Sequence, residues 1–389
     1  MSEAHGTKQK RIGRLIFSLG VAFLFLSYAY SEQIIKPRLY DGSINELGRY
    51  SFTFDAYDYI EENSENPIIA LGSSKMREIF DGQLIGESTA FNGEFFNLAY
   101  AGERPYVRMI EIDAILDLNP KLVIIEVGPN SFSALSDPAP KSIISRMEQL
   151  MALNSHWNSQ TWEPILSEQD RDVLSLDRIE QMEYFASISP EAVESTLAYK
   201  LNFEEPPYSC DFDWGTVHCV PDPDSSEYDS YLKYPIQFRN SLKLIKEGNA
   251  KWTIEEFYGE RLDNYLAGSY HNPEGVLNKN QVAYEFMIES LLANDIPVML
   301  VNLPYNPVLI DRLSEGQWDY LNATMENYSL KYDIKIVDYM WSNDLIDDDF
   351  NDYTHAARTG EEKFAEFIST EIDDFLTSKL KYTELFLLS

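Results

Sequence analysis

The sequence is poor in cysteine and histidine, and this shortage argues against a conventional zinc site. Its 389 residues include two cysteines and five histidines. A structural zinc ion takes four such ligands, and one cysteine pair supplies half of that set. The two cysteines, Cys210 and Cys219, lie close together in the chain. In an oxidising compartment the simplest interpretation is a local disulfide, and a metal site that includes His218 is the alternative.

Basic residues are scarce as well. The chain has 31 lysines and arginines against 64 aspartates and glutamates, for a formal net charge of −33 and an isoelectric point of about 4.4. A chain this acidic repels phosphate groups, which argues against nucleic acid as a partner. The acidic residues are spread along the chain and predict a solvated surface. Two acidic loops, 221–229 and 346–352, lack the ligand spacing of an EF-hand, so the sequence predicts no metal and no cofactor.

A long uncharged run, Leu15 to Ser31, lies near the N-terminus and follows four basic residues at positions 8–14. A membrane-spanning helix needs about 17–25 apolar residues. One interpretation is a signal anchor, with its basic end in the cytoplasm and Tyr28 and Tyr30 at the outer interface. The other is a cleaved signal peptide with small residues before the cut. The tyrosines interrupt the small-residue pattern and favour the anchor.

Either interpretation places the rest of the chain outside the cytoplasm. We therefore expect a cytoplasmic basic tail over residues 1–14 and a transmembrane segment over 15–31. A stalk with a short helix would follow over 32–66, and a folded domain over 67–389.

Short apolar segments alternate with helical patterns in much of this domain. This alternation predicts an α/β fold with a parallel sheet covered on both faces. Helical patterns occupy 104–120 and 281–295, and a long C-terminal helix is predicted to begin with Thr359 as its cap. The middle of the chain, 131–280, departs from the alternation and predicts a helical insertion. The predicted strands are 67–72, 94–100, 121–128, 296–304 and 334–340.

Residues with the chemistry of acyl transfer follow several of these strands. Ligands in open α/β sheets bind beyond the carboxyl ends of the strands. A serine nucleophile, an Asp–His pair and hydrogen-bond donors for an oxyanion make up the usual catalytic set. Each of these residues alone has a structural explanation, such as a helix cap or a turn. Their common position after the predicted strands is what predicts a catalytic site. The residues are Ser73 and Ser74, Gly102, Gly128 to Ser131, and Asp352 with His355.

At these positions the chain resembles the SGNH/GDSL hydrolases. The four blocks of that family would be Gly72-Ser73-Ser74, Gly102, Gly128-Pro129-Asn130-Ser131 and Asp352-Tyr353-Thr354-His355. The similarity covers roughly 67–132 and 281–375, and it includes Gly360 in the C-terminal helix. Two departures are Ser73, where the family has aspartate, and Ser131, where it has the second residue of an Asn-Asp pair.

The resemblance implies a role for each block. Ser74 would be the nucleophile, His355 its base, and Asp352 the group that orients the imidazole. The oxyanion hole would consist of the Ser74 N–H, the Gly102 N–H and the Asn130 side-chain amide. The implied fold is a flavodoxin-like three-layer sandwich, the SGNH hydrolase fold, here with a helical insertion and an N-terminal transmembrane helix.

The Gly-Ser-Ser form of the first block is similar to a membrane-anchored branch of the family. That likeness implies ester hydrolysis or acyl transfer, with an acetyl group on a cell-surface glycan as substrate and a membrane-bound acyltransferase as partner. Two alternatives are a catalytically silent assembly or binding module of the envelope and a lipid esterase. Asn322 and Asn327 lie in glycosylation sequons, which matter only if the host glycosylates exported chains.

Overall fold

The computed structural model describes residues 48–99, 103–132, 159–166, 209–213, 216–220, 224–235, 278–311, 319–342 and 344–387, and in the N-terminal segment residues 14, 17–23, 25–26 and 29–30. At 48–55, 129–130, 159–160, 209–213, 216–220 and 380–387 the description covers the backbone only.

The described strands form one parallel sheet and one hairpin. The sheet has the strand order β2-β1-β3-β6-β7, and every neighbouring pair in it is parallel. This confirms the predicted α/β character and the parallel sheet, and each of its strands lies within a predicted one. Strands β4 and β5 form the antiparallel hairpin. In chain order the strands are β1 (Pro67–Leu71), β2 (Glu94–Asn97), β3 (Leu122–Val127), β4 (Ser209–Asp213), β5 (Thr216–Val220), β6 (Val298–Asn302) and β7 (Lys335–Asp338).

Helices connect the strands of the sheet, as the parallel order requires. The α-helices of the described residues are α1 (Gly48–Asn63), α2 (Ser74–Ile79), α3 (Gly82–Ser88), α4 (Pro105–Arg108), α5 (Ile112–Leu118), α6 (Ser159–Trp162), α7 (Tyr228–Lys233), α8 (Lys279–Ala293), α9 (Pro307–Ile310), α10 (Asp319–Lys331) and α11 (Arg358–Leu387).

The sheet lies between two hydrophobic cores, because successive side chains of a strand point to opposite faces. In β1, Ile69 and Leu71 face the first core, and Ile68 and Ala70 face the second. Helices α1, α5, α8 and α10 cover the first core, and α2, α3 and α11 cover the second. Since α1 belongs to the first core, the packed part of the chain includes residues that precede the predicted domain boundary at residue 67.

Two helix predictions were wrong in detail. The pattern over 104–120 forms α4, a 3₁₀ turn at Met109–Glu111 and α5 rather than one helix. Helix α5 ends at Asn119, whose φ of 47° is left-handed. Thr359 is not the cap of α11, because the helix begins at Arg358 and the Glu361 N–H already donates to the Ala357 carbonyl.

Within the predicted insertion, 131–280, the described residues form the hairpin and the short helices α6 and α7, together with the start of α8. The hairpin contains both cysteines, in a part of the chain that was predicted to be a helical insertion. Its register pairs Cys210 with Cys219 across the two strands. The disulfide itself stays a prediction, because only the backbone is described there.

The described residues of the N-terminal segment are helical and expose large apolar side chains. Phe17 is 73% exposed and Phe23 is 64% exposed. Among the described helices, none combines the length and the apolar character needed to span a membrane. Residues 1–13, and six positions of the predicted anchor, lie outside the described residues.

Candidate active site

The turn between β1 and α2 gives its two serines different roles. Ser73 is the N-cap of α2, and its Oγ accepts a hydrogen bond from the Lys75 N–H at 3.3 Å. Ser74 is the first helical residue, and the N–H of such a residue has no partner inside its own helix. The capping explanation therefore applies to Ser73 and leaves the Ser74 hydroxyl available for chemistry.

The Ser74 hydroxyl faces an imidazole from the other end of the chain. Its Oγ lies 2.8 Å from Nε2 of His355. On the opposite side of the ring, Nδ1 of His355 lies 2.6 Å from Oδ2 of Asp352. The structure thus brings Ser74, His355 and Asp352 into one hydrogen-bonded line, the arrangement in which a histidine can take the proton of a serine.

The loop that carries Asp352 fixes its carboxylate. Oδ1 of Asp352 accepts the backbone N–H groups of Thr354 at 2.7 Å and His355 at 2.8 Å. Burial alone would raise the pKa of Asp352, but the imidazole and these N–H donors outweigh it and hold the pKa below its ordinary value. An ionised Asp352 accepts a proton-bearing Nδ1, which leaves Nε2 of His355 as the basic nitrogen toward Ser74.

A buried asparagine ties this loop to the sheet. Asn306 lies beyond the carboxyl end of β6 and is the N-cap of α9. Its backbone N–H donates to the Tyr353 carbonyl at 3.0 Å, and its Nδ2 donates to Oδ1 of Asp347 at 2.7 Å. Sequence reasoning missed Asn306, although its position after the fourth predicted strand was a usable signal.

Below the serine turn lies a buried ion pair. The side chains of Lys75 and Glu126 are each 7% exposed, and Nζ lies 3.0 Å from Oε1. Lys75 Nζ also donates to the Tyr305 hydroxyl at 2.9 Å. Burial would raise the pKa of Glu126, but the Lys75 ammonium and the hydrogen bonds from Ser73 hold it below its usual range. Glu126 is therefore ionised beside the turn.

A second buried charge group adjoins the first. Arg108 donates from Nε to Oε1 of Glu103 at 2.8 Å and from Nη1 to Oε2 of Glu111 at 2.6 Å. Burial raises the pKa of Glu103 to about 7, and Arg108 opposes this rise only in part. Two carboxylates share one guanidinium here. Because the pKa of Glu103 is about 7, its charge changes near neutral pH.

Among the described residues, a cavity of about 180 Å³ opens at the serine turn. Ser74 and His355 form one side of it, and Glu103, Arg104 and Met287 contribute elsewhere to its lining. A reacting group placed in this cavity would meet the serine, its base and several charged side chains at once.

The predicted oxyanion donors are described only in part. Ser74 lines the cavity. Gly102 lies outside the described residues, and Asn130 is described only by its backbone, in the 3₁₀ turn Pro129–Phe132. Ser131 lines the cavity, and its Oγ accepts the Gly128 N–H at 3.1 Å, so this departure from the family pattern stabilises the same loop.

Sequence reasoning also missed the charged residues below the turn. Glu126 interrupts an otherwise apolar segment that was predicted to be a buried strand, and such a charge inside a core is a signal for a specific partner. Glu103 follows the predicted donor Gly102 directly in sequence. The sequon residues Asn322 and Asn327 are exposed on α10, away from this group in sequence, and their glycosylation stays a prediction.

Comparison with known proteins gives little further identification. No protein-family model and no curated protein sequence matches this chain. One similar solved structure is a Bacteroides fragilis NCTC 9343 protein described as a "putative acylhydrolase", with 13% sequence identity and a TM-score of 0.38. The match covers 82% of this chain and 95% of that one. A likeness this distant carries no functional argument, so the function must be argued from the residues themselves.

Proposed function

We propose that this protein is an SGNH-type serine esterase or acyltransferase whose catalytic residues are Ser74, His355 and Asp352. One observation carries the proposal: His355 Nε2 lies 2.8 Å from Ser74 Oγ while its Nδ1 lies 2.6 Å from Asp352. These residues come from distant parts of the chain and meet at the carboxyl end of a parallel sheet, where such folds bind ligands.

The chemistry follows from this line of contacts. Ser74 Oγ attacks the ester carbonyl as Nε2 of His355 takes its proton, and Asp352 stabilises the imidazolium that forms. The Ser74 N–H, the Gly102 N–H and the Asn130 amide then donate hydrogen bonds to the carbonyl oxygen, and these bonds stabilise its negative charge. His355 then protonates the departing alcohol. Water or a sugar hydroxyl, deprotonated by His355, releases the acyl group from Ser74.

The order of the strands supports the assignment to this family of folds. Counted along the sheet strands alone, the order β2-β1-β3-β6-β7 is 2-1-3-4-5, which is the order of flavodoxin. The insertion predicted over 131–280 would then lie between β3 and β6 in chain order.

For the substrate we propose an acyl group, most simply acetyl, on a cell-surface glycan. The support is the Gly-Ser-Ser form of the first block together with an N-terminal segment that exposes apolar side chains such as Phe17 and Phe23. In this proposal residues 15–31 anchor the chain in a membrane, the folded domain lies outside the cytoplasm, and a membrane-bound acyltransferase is its partner. A lipid ester is the second candidate substrate, because the anchor would hold the domain near a bilayer.

A serine-directed fluorophosphonate probe and a small aryl ester test the proposal. We expect Ser74→Ala to abolish labelling and His355→Ala to reduce labelling and ester turnover by at least about 10³-fold, because the base is lost. Ser73→Ala should keep most of the turnover, since its backbone N–H still donates to Glu126. Ser88→Ala, on the exposed face of α3, is the control for intact folding and labelling.

A well-folded wild-type protein that neither reacts with the probe nor hydrolyses the ester would overturn the proposal. That outcome would favour the silent envelope module. Equal labelling of the Ser74→Ala variant would show that another serine is the reactive one.

A further inference from the structure

Two buried carboxylates hold the backbone immediately before Ser74. The Gly72 N–H donates to Oε2 of Glu103 at 3.2 Å. The next N–H in the chain, that of Ser73, donates to Oε2 of Glu126 at 2.7 Å. The donor that follows is the N–H of Ser74 itself. Two successive N–H groups are thus fixed by side chains, and the third is the one that the reaction needs.

We propose that Glu103 and Glu126 are positioning residues that clamp the turn before Ser74, so that its N–H and Oγ face the reacting carbonyl together. We call these two side chains the carboxylate clamp. The inference rests on the proposed function, because it assigns a role within the same reaction.

The Glu126 arm of the clamp is rigid. Glu126 projects from the central strand β3, and its Oε1 is held by Lys75 at 3.0 Å. Lys75 is itself fixed by its hydrogen bond to Tyr305. The Ser73 hydroxyl donates to the same carboxylate, with Oγ lying 3.0 Å from Oε1 and 2.8 Å from Oε2. A side chain with these partners cannot move without breaking several bonds.

The Glu103 arm is held in the same way. Arg108 donates to both oxygens of Glu103, and it is anchored in turn by Glu111 and by the Leu98 carbonyl at 2.8 Å. Arg108 is 1% exposed, so this support lies inside the protein. Supports of this kind are what hold a reactive group within the narrow tolerance that catalysis requires.

The charge balance of this region also argues for a positional role. Three carboxylates, those of Glu103, Glu111 and Glu126, lie beside two cations, Lys75 and Arg108. Buried ion pairs contribute little to stability, and well-packed apolar side chains are often equally or more stable. A buried group of charged side chains of this kind is therefore better explained by what it positions than by the stability that it provides.

The clamp connects the loops that are predicted to form the oxyanion hole. Glu103 directly follows Gly102, and Glu126 stands two residues before Gly128. Their bonds to Gly72 and Ser73 link the loop after β2 and the end of β3 to the turn after β1. The clamp would then set the relative positions of all three loops, not only that of Ser74.

A matched pair of double variants tests the clamp. Lys75→Met with Glu126→Gln and Lys75→Met with Glu126→Leu both remove the ion pair. Only the glutamine variant keeps an oxygen that can accept the Ser73 N–H, while leucine has a similar size and no acceptor. The thermal midpoint, kcat and KM for an aryl ester, and the rate of fluorophosphonate labelling are measured for both.

We expect the glutamine variant to exceed the leucine variant in kcat and in labelling rate by about 10²–10³-fold, the usual loss when an oxyanion donor is misplaced. KM should differ little, because the effect belongs to the transition state. Equal kcat values in the two folded variants would overturn the clamp, since a purely structural role of Glu126 predicts equality.

If the double variants do not fold, the comparison is made at the other arm with Glu103→Gln and Glu103→Leu, which leave Lys75 and Glu126 intact. Equal rates in that pair overturn the clamp as well. Failure of the proposed function is recognised separately, because wild-type protein would then show neither labelling nor turnover.

Discussion

At the scale of single residues, Gly72 leaves no room for a side chain. A Cβ there would lie 2.7 Å from both Cβ and Oε2 of Glu126. The glycine is required by this close approach, since Glu126 must pass next to the backbone to reach the Ser73 N–H.

We therefore expect Gly72→Ala to displace Glu126 and to lower kcat and the labelling rate by about 10²-fold or more. Gly86→Ala is the matched control, because its Cβ would meet Phe95 at an ordinary 3.5 Å and alanine is favoured inside a helix. Activity and circular dichroism of the two variants are compared. Normal turnover in Gly72→Ala would mean that Glu126 need not stay where the structure has it.

Glu103 makes stability depend on pH near neutrality. Its pKa rises on folding from 4.5 to about 7, because burial outweighs Arg108 while Glu111 and Glu126 add to the rise. The unfolded chain thus releases this proton at lower pH than the folded chain. The contribution of Glu103 to stability is complete below about pH 4.5 and is lost as the pH rises through 7. Asp352 and Glu126 have lowered pKa values, so their contributions are lost at acid pH instead.

We expect the free energy of unfolding of Glu103→Gln to decline less between pH 5 and pH 7 than that of wild type, because the titrating group is gone. Urea unfolding at several pH values measures this difference. If the free energy of unfolding changes with pH equally in the two proteins over that range, the Glu103 carboxyl does not titrate between pH 5 and pH 7.

At the scale of elements, the site depends on how α9 and the Asp352–His355 loop are joined. Asn306 caps α9 through the bond from the Val308 N–H to its Oδ1 at 2.9 Å, and it also holds the loop. Its Nδ2 also donates to the Asp352 carbonyl at 3.3 Å. The side chain therefore supports the position of Asp352 and His355 without touching the reacting atoms.

We expect Asn306→Ala to lower kcat about 10-fold or more and to cost about 1 kcal/mol of stability from the lost cap. Asn294→Ala, an exposed asparagine after α8, is the control. Turnover with the aryl ester and urea unfolding are measured on both. A stability loss without any change in kcat would assign Asn306 to the fold alone.

The elements differ in how far the sequence predicts them. Strands such as β3 and β6 are almost entirely apolar, and this local pattern placed them to within a few residues. The clamp could not be found in this way, because the Glu126–Ser73 contact joins positions 53 residues apart. The helix predicted over 104–120 is interrupted by the 3₁₀ turn at Met109–Glu111, which the apolar spacing did not reveal. The grouping of Ser74, Asp352 and His355 could be predicted from the sequence. The loops at the carboxyl ends of parallel strands meet at one edge of the sheet, even when they are far apart in the chain.

At the scale of the whole molecule, the acidic surface and the apolar N-terminal segment predict opposite responses to lipid. A chain with a net charge of −33 is repelled by anionic membranes. Exposed Phe17, Phe23 and Phe25 favour insertion into any bilayer.

We therefore expect the full chain to float with neutral lipid vesicles, and a variant without residues 1–31 to remain with the unbound protein. Vesicle flotation measures the bound fraction. Equal flotation of both proteins would assign membrane binding to the folded domain, and no flotation of either would overturn the proposed anchor.

The separation of 281 residues between Ser74 and His355 has a consequence for biosynthesis. Because the chain emerges from the ribosome in order, the serine exists long before its base, and every shorter nascent chain is chemically inert. Long-range contacts also form late in folding. Under the proposed function, activity therefore appears only after the last sheet strand has formed and the loop with His355 has packed beside Ser74.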